Sequence, residues 1–176
     1  LTVGELARMI NGEGWLAGGK KCDLNVISVV NYTHQMRYVP PVRPSPGLPN
    51  EVPVRLYPSV CFFEGTTVSL GRGTEFSFQV AGAPDPVYGP FTFTPRSNAI
   101  IKKPPYENQL CYGQDFRQDT TSRLTLRYLL DFYKLTPDKS KFFLATKHFD
   151  LLAGTDELKK QIQAGMTEAQ IRQTWQ

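Results

Sequence analysis

At 176 residues, with 40% hydrophobic and 20% charged side chains, the chain is long enough to bury a core and reads as one soluble domain spanning 1–176. Its net charge of +4 is spread over scattered lysines and arginines, not a basic stripe interleaved with aromatics, which argues against a nucleic-acid partner. No apolar run approaches the ~18 residues of a membrane span, no signal peptide is visible, and Leu1 is not an initiator methionine, so the chain reads as a fragment or a processed product.

Thr2 predicts a capped helix from Val3, with Val3, Leu6, Ala7 and Ile10 at helical spacing. Glycines end it, and the β-branched run "CDLNVISVVNY" reads as a buried strand. Residues 39–58 hold seven prolines, which excludes regular helix or central strand and predicts an ordered, extended surface segment. Short strands are expected at "SVCFFEG", "EFSFQVAG", "FTFTPRS" and "LCYGQDFR".

The chain then turns helical. "TTSRLTLRYLLDFYKLTP" opens on a capping Thr, stops before Pro137 and puts Leu126, Leu129, Leu130 and Tyr133 on one face. "TDELKKQIQAG" ends at Gly165, and Thr167 caps a last helix. This order predicts an α+β fold, with helices packed on a largely antiparallel sheet.

Several chemistries are excluded by spacing. Cys22, Cys61 and Cys111 form no Cys-x-x-Cys pair, and His34 and His148 no His-Glu-x-x-His helix, so no metal site is expected. There is no Gly-x-Ser-x-Gly elbow. "GRGTEF" leads into a strand rather than a helix N-terminus, so it is no phosphate loop. Carboxylate chemistry remains. Glycosidases use two carboxyl groups flanking the sugar bond, and Glu64, Glu75 and Asp115 stand at or near predicted strand ends where such groups face clefts.

The densest polar stretch is "EGTTVSLGRGTEF", residues 64–76. With its flanks, "YPSVCFFEGTTVSLGRGTEFSFQVAGAP" resembles the family long designated domain of unknown function 1343, whose characterised members are exo-β-N-acetylmuramidases. Tyr57-Pro58, Glu64-Gly65-Thr66, Ser69, Gly71-Arg72-Gly73-Thr74, Phe78 and Gly82-Ala83-Pro84 match the family pattern in order. "LTVGELARMINGE", "CDLNVISVVNY" and "PPVRPSPGLPN" before this stretch, and "FTPRSN", "LCYGQDFRQDT" and "HFDLLAGTDELKKQIQAG" after it, are similar to further family segments, so the resemblance runs along nearly the whole chain. The chain departs from it at Asn31-Tyr32-Thr33-His34, at Ser77 and at Asp85, where the family often has Gly-Trp-Arg-Arg, Pro and Trp.

The resemblance implies a C-terminal, cleft-closing half of a two-domain glycosidase, with the Rossmann-like N-terminal half and its proposed catalytic glutamate outside this sequence. It implies release of N-acetylmuramic acid from non-reducing ends of peptidoglycan fragments, no cofactor, the N-terminal domain of the same protein as partner, and a periplasmic or envelope location. A fragment of this kind is expected to be inactive alone. Muramic acid carries a lactyl carboxylate, which a planar guanidinium recognises better than an ammonium. Arg72 is therefore the expected ligand for that carboxylate or another sugar oxygen, with Ser69 and Thr74 as hydroxyl partners and Glu64 as the second binding residue. Equally open at this point is an Arg72–Glu64 ion pair that merely pins the loop. The alternative function is a non-catalytic wall-binding or structural module, with Trp15, Tyr32, Tyr38, Tyr88 and Tyr112 as available aromatic platforms.

Overall fold

The computed structural model describes residues 2–33, 35–36 and 38–175. The chain divides into two compact units, Leu1–Tyr38 and Val39–Gln176.

The first unit is built on α1 (Val3–Gly12). Its capping box is complete: the Glu5 N–H donates to Thr2 Oγ1 at 3.2 Å, and the Thr2 N–H donates to Glu5 Oε2 at 2.6 Å. The Asn11 amide brackets the backbone of Cys22, donating to its carbonyl at 3.0 Å and accepting from its N–H at 2.8 Å. Gly4 lets Val26 close on the helix, since a Cβ there would fall 2.5 Å from Val26 Cγ1.

The run expected to be a buried strand, Cys22–Tyr32, is neither buried nor a strand. Ile27 is 87% and Val30 82% exposed, and no described residue of this unit is buried. A strand needs a ladder partner and a covered face, and the described residues of this unit offer the run one α-helix and no strand. His34, one of the departures from the family pattern, lies outside the described residues.

The second unit contains the core. Its first helix, α2 (Glu51–Val60), arises inside the proline-rich segment that was expected to be extended. Asn50 caps it, accepting from the Val52 N–H at 2.9 Å. Pro53 falls in the first turn, where an N–H has no intrahelical acceptor to lose. Pro58 lies in the last turn of the helix, which passes directly into a 3₁₀ turn, Cys61–Gly65. "SVCFFEG" is thus helical, not a strand. Short apolar runs carry no period that separates the two.

Three short strands form an antiparallel sheet: β1 (Val80–Ala83), β2 (Phe91–Phe93) and β3 (Cys111–Asp115), in spatial order β1-β3-β2. Val80 pairs with Asp115 and Ala83 with Tyr112, and on the other side Phe91 pairs with Gly113. Gly113 is required at the centre: a Cβ there would sit 1.8 Å from the Ala81 carbonyl oxygen.

Four helices follow: α3 (Arg127–Leu135), α4 (His148–Ala153), α5 (Glu157–Gln163) and α6 (Glu168–Arg172). α3 begins at Arg127 and not at the expected capping Thr; the Arg127 N–H donates to Thr125 Oγ1, so the residues before it form a bend. α6 starts at Thr167 with a full capping box, as expected. Leu126, Leu129 and Phe132 of the α3 region are fully buried. Phe132 meets Phe63 edge-on at 5.2 Å and stacks with Tyr88 at 5.5 Å. A second ring chain, Phe142–Phe143–Phe149, closes at 5.0 and 4.7 Å. The architecture is α+β with an antiparallel sheet.

Candidate functional site

The 3₁₀ turn ends on Glu64 and Gly65, and Gly65 positions both. A Cβ on Gly65 would lie 2.6 Å from Phe149 Cα, so α4 rests directly on this backbone. The Gly65 carbonyl accepts from the Leu144 N–H at 3.0 Å. With the turn pinned from behind, Glu64 Oε2 accepts from Arg72 Nη1 at 3.1 Å and Oε1 accepts from the Tyr57 hydroxyl at 3.4 Å. Burial, then the neighbouring Glu64 carboxylate, push the Tyr57 phenol above its ordinary pKa, which keeps it protonated and a donor.

Arg72 is delivered by its glycines. Gly71 (φ 67°) and Gly73 (φ 87°) both adopt left-handed backbone, and a Cβ on Gly73 would meet the Arg96 carbonyl oxygen at 2.6 Å. The Arg72 side chain stays 41% exposed, against 20% for Glu64. It makes a single hydrogen bond to one carboxylate oxygen and no bidentate fork with Glu64.

Ser69 is buried. Its backbone bridges Gly82 at 2.8 and 2.9 Å, and its Oγ accepts from the Gly71 N–H at 3.3 Å. The Thr74 hydroxyl donates to the Gly71 carbonyl at 2.7 Å and accepts from the Phe76 N–H at 3.0 Å. Thr74 is therefore committed to its own turn.

A cavity of about 480 Å³ opens beside this loop. Glu64, Ser69 and Arg72 line it together with Thr66 and Thr67; Thr74 does not. Ile101 to Tyr106, Leu144 and His148 also line it. The Tyr106 hydroxyl donates to the Thr67 carbonyl at 2.5 Å and ties the 101–106 segment to the 64–72 loop. Glu64 is the one carboxylate lining the cavity among the described residues, against the cations Arg72, Lys102 and Lys103.

The other candidate carboxylates stand elsewhere. Asp115 closes on Arg117 in its own turn at 2.6 Å, and the guanidinium hydrogen bonds hold its carboxyl below the usual range. Glu75 is exposed and outside the cavity. Among the described residues no group of three His, Cys, Asp or Glu side chains is arranged to hold a metal ion.

Lys102, Lys103 and His148 were not singled out by motif reasoning. The adjacent Pro104-Pro105, which stiffens the lysine pair, is the one sequence signal that marks that segment as more than a solvated loop.

The cavity is of ligand size, and its described lining combines hydroxyls, three cations and one carboxylate on an α+β scaffold, which makes it the candidate site of this chain. Comparison with known proteins makes this specific. Residues 55–176 match the family model "Exo-beta-N-acetylmuramidase NamZ, C-terminal", and residues 1–52 match its N-terminal counterpart. The chain belongs to this family, also designated DUF1343. The crystal structure of a DUF1343 family protein from Bacteroides fragilis NCTC 9343 is similar over the whole chain, with TM-score 0.88 and 44% identity, and the match covers 51% of that protein.

The peptidoglycan beta-N-acetylmuramidase NamZ of Bacillus subtilis (strain 168) is 26% identical over 97% of this chain and 45% of its own length. The chain thus spans about half the length of the relatives it matches. The expected C-terminal half is matched over 55–176, while residues 1–52 fall to the N-terminal model.

Proposed function

We propose that this chain supplies the C-terminal, cleft-closing part of an exo-β-N-acetylmuramidase, which releases N-acetylmuramic acid from non-reducing ends of peptidoglycan fragments in the periplasm or cell envelope. The observation that carries this reading is the 480 Å³ cavity within the family-matched region, cationic at Arg72, Lys102 and Lys103 and provided with a single carboxylate. Hydrolysis of a glycosidic bond by the two-carboxylate route needs a second carboxyl group. The cavity fits a role in holding the sugar, with the acid–base group contributed by the N-terminal domain of the same protein, its partner.

Arg72 is the lactyl-carboxylate ligand in this reading. It keeps donors beyond the one used by Glu64, and its partial exposure leaves them accessible. Ser69 and Glu64 line the same wall, and Thr74 acts indirectly by closing the turn that aims Arg72.

The test is binding of N-acetylmuramic acid and N-acetylglucosamine to this chain, followed by NMR titration, in the wild type and in Arg72→Lys. Muramic acid should bind more tightly than glucosamine in the wild type. Arg72→Lys should cut the muramic acid affinity about tenfold, the scale of one charge-assisted hydrogen bond. It should leave the unfolding midpoint nearly unchanged, because an exposed ion pair contributes about 0–1 kcal/mol. A lowered melting temperature with unchanged sugar binding would assign Arg72 to pinning the loop and overturn the recognition role.

A further inference from the structure

The first unit is built like half of a layer. Asn11 of α1 clamps the Cys22 backbone, and Gly4, about two turns earlier on the helix, meets Val26. Two helical turns rise about 11 Å, and an extended chain from Cys22 to Val26 spans about 13 Å. The run is therefore drawn out along α1 and opposite to it in direction.

Side chains alternate between the two faces of an extended chain. Val26 is half-buried on the helix side, while Ile27 and Val29 stand on the other, 87% and 75% exposed. Among the described residues, no backbone group of 24–30 bonds to another backbone group. The run thus has one covered face, a second apolar face that is bare, and two open edges. Apolar side chains on both faces mark a strand that is buried on both, inside a sheet covered on each side.

We propose that residues 24–30 are an interior strand of a sheet whose other strands belong to the N-terminal domain of the same protein, and that Ile27 and Val29 are the anchors this domain covers. The proposal rests on the reading above, in which that domain is the partner, and it names the surface of contact. Residues 1–52, which include α1 and the whole run, match the N-terminal family model, whereas the buried core belongs to the C-terminal one. The match takes in 45% of the Bacillus subtilis protein and 51% of the Bacteroides fragilis one. Each relative therefore carries enough further chain to build a sheet around the run. A second copy fits less well. It brings only the same run, and pairing the two gives a two-stranded ribbon, which is marginal in water.

The experiment is amide hydrogen exchange followed by mass spectrometry. One sample is this chain alone. The other is this chain joined, in one polypeptide, to the part of the Bacteroides fragilis protein that the match leaves uncovered. Residues 24–30 should exchange about a hundredfold more slowly in the joined protein. Ile27→Asp should restore fast exchange there and leave Cys111–Asp115 in β3 protected. Fast exchange over 24–30 in a joined protein whose added part is itself protected overturns the proposal. So does protection that already appears in this chain alone and grows with its concentration, which would assign the face to a second copy. If the added part shows no protection, the intact Bacteroides fragilis protein decides: the segment aligned with 24–30 should be slow, and fast exchange there overturns the proposal. Muramic acid binding is read separately on this chain. Sugar binding without protection of 24–30 sinks this inference alone, and protection without sugar binding upholds it while sinking the recognition role of Arg72.

Discussion

Two stretches of this chain invert the ordinary expectation for β-structure. "CDLNVISVVNY" is rich in Val and Ile and forms no strand, whereas "CYGQD", with Gly, Gln and Asp, is the central strand of the sheet. The difference lies in neighbours. Cys111–Asp115 has a strand on each side, and the absence of a side chain at Gly113 allows the close approach of Ala81. Cys22–Tyr32 is held to the helix by the Asn11 amide and by Val26 against Gly4, and leaves Ile27, Val29 and Val30 in water. β-propensity measures how well a residue suits a half-buried pleated surface, and it does not supply that surface.

The largest effect that sharpens this comparison is expected at Gly113. Gly113→Ala puts a methyl group 1.8 Å from the Ala81 carbonyl oxygen in the middle of two ladders, where backbone has to move on both sides. The expected loss is about 3 kcal/mol, the upper end for overpacking, read as a lowered urea midpoint. A variant as stable as the wild type would mean that the sheet is not held at this spacing.

Next in size is Gly65→Ala. Its methyl group meets the Phe149 backbone at 2.6 Å, so α4 must withdraw from the turn that presents Glu64. About 2 kcal/mol is expected, together with weakened muramic acid binding, because Phe63, Glu64, Leu144 and His148 all line the cavity. Loss of stability with full sugar binding would separate α4 from the site.

These positions also mark what was legible beforehand. Thr2 and Thr167 announce their helices because a cap is a local device, completed within three residues. The buried face of α3 follows from spacing at Leu126, Leu129 and Leu130. Helix α2 is hard to read in the sequence because seven prolines in 39–58 argue against a helix by number, whereas place matters: Pro53 falls in its first turn and Pro58 in its last. Of the site, Glu64, Ser69 and Arg72 came from one polar loop and do meet at one cavity. Thr74 reads the same way in sequence, yet its hydroxyl is consumed within the turn. Lys102, Lys103 and His148 lie some 30 to 80 residues away in the chain, and only packing on the Tyr106–Thr67 contact brings the lysine segment to the cavity.

The smallest effect is expected in the first unit, and it is the one that could break the comparison. Ile27→Asp and Val30→Lys replace side chains that are 87% and 82% exposed. Exposed substitutions away from caps and networks stay within about 0.5 kcal/mol, so the unfolding midpoint of this chain should not move. Amide exchange across 24–30 should be fast in wild type and variants alike, because these residues have no ladder to protect them. A drop of about 2 kcal/mol in either variant, or slow exchange over this run, would show that its apolar side chains are covered in solution, as a partner strand or a second copy would cover them. The propensity of "NVISVV" would then be expressed after all. The lesson drawn from Cys111–Asp115 would remain, since the run would have become a strand only by gaining the neighbour that the central strand already has.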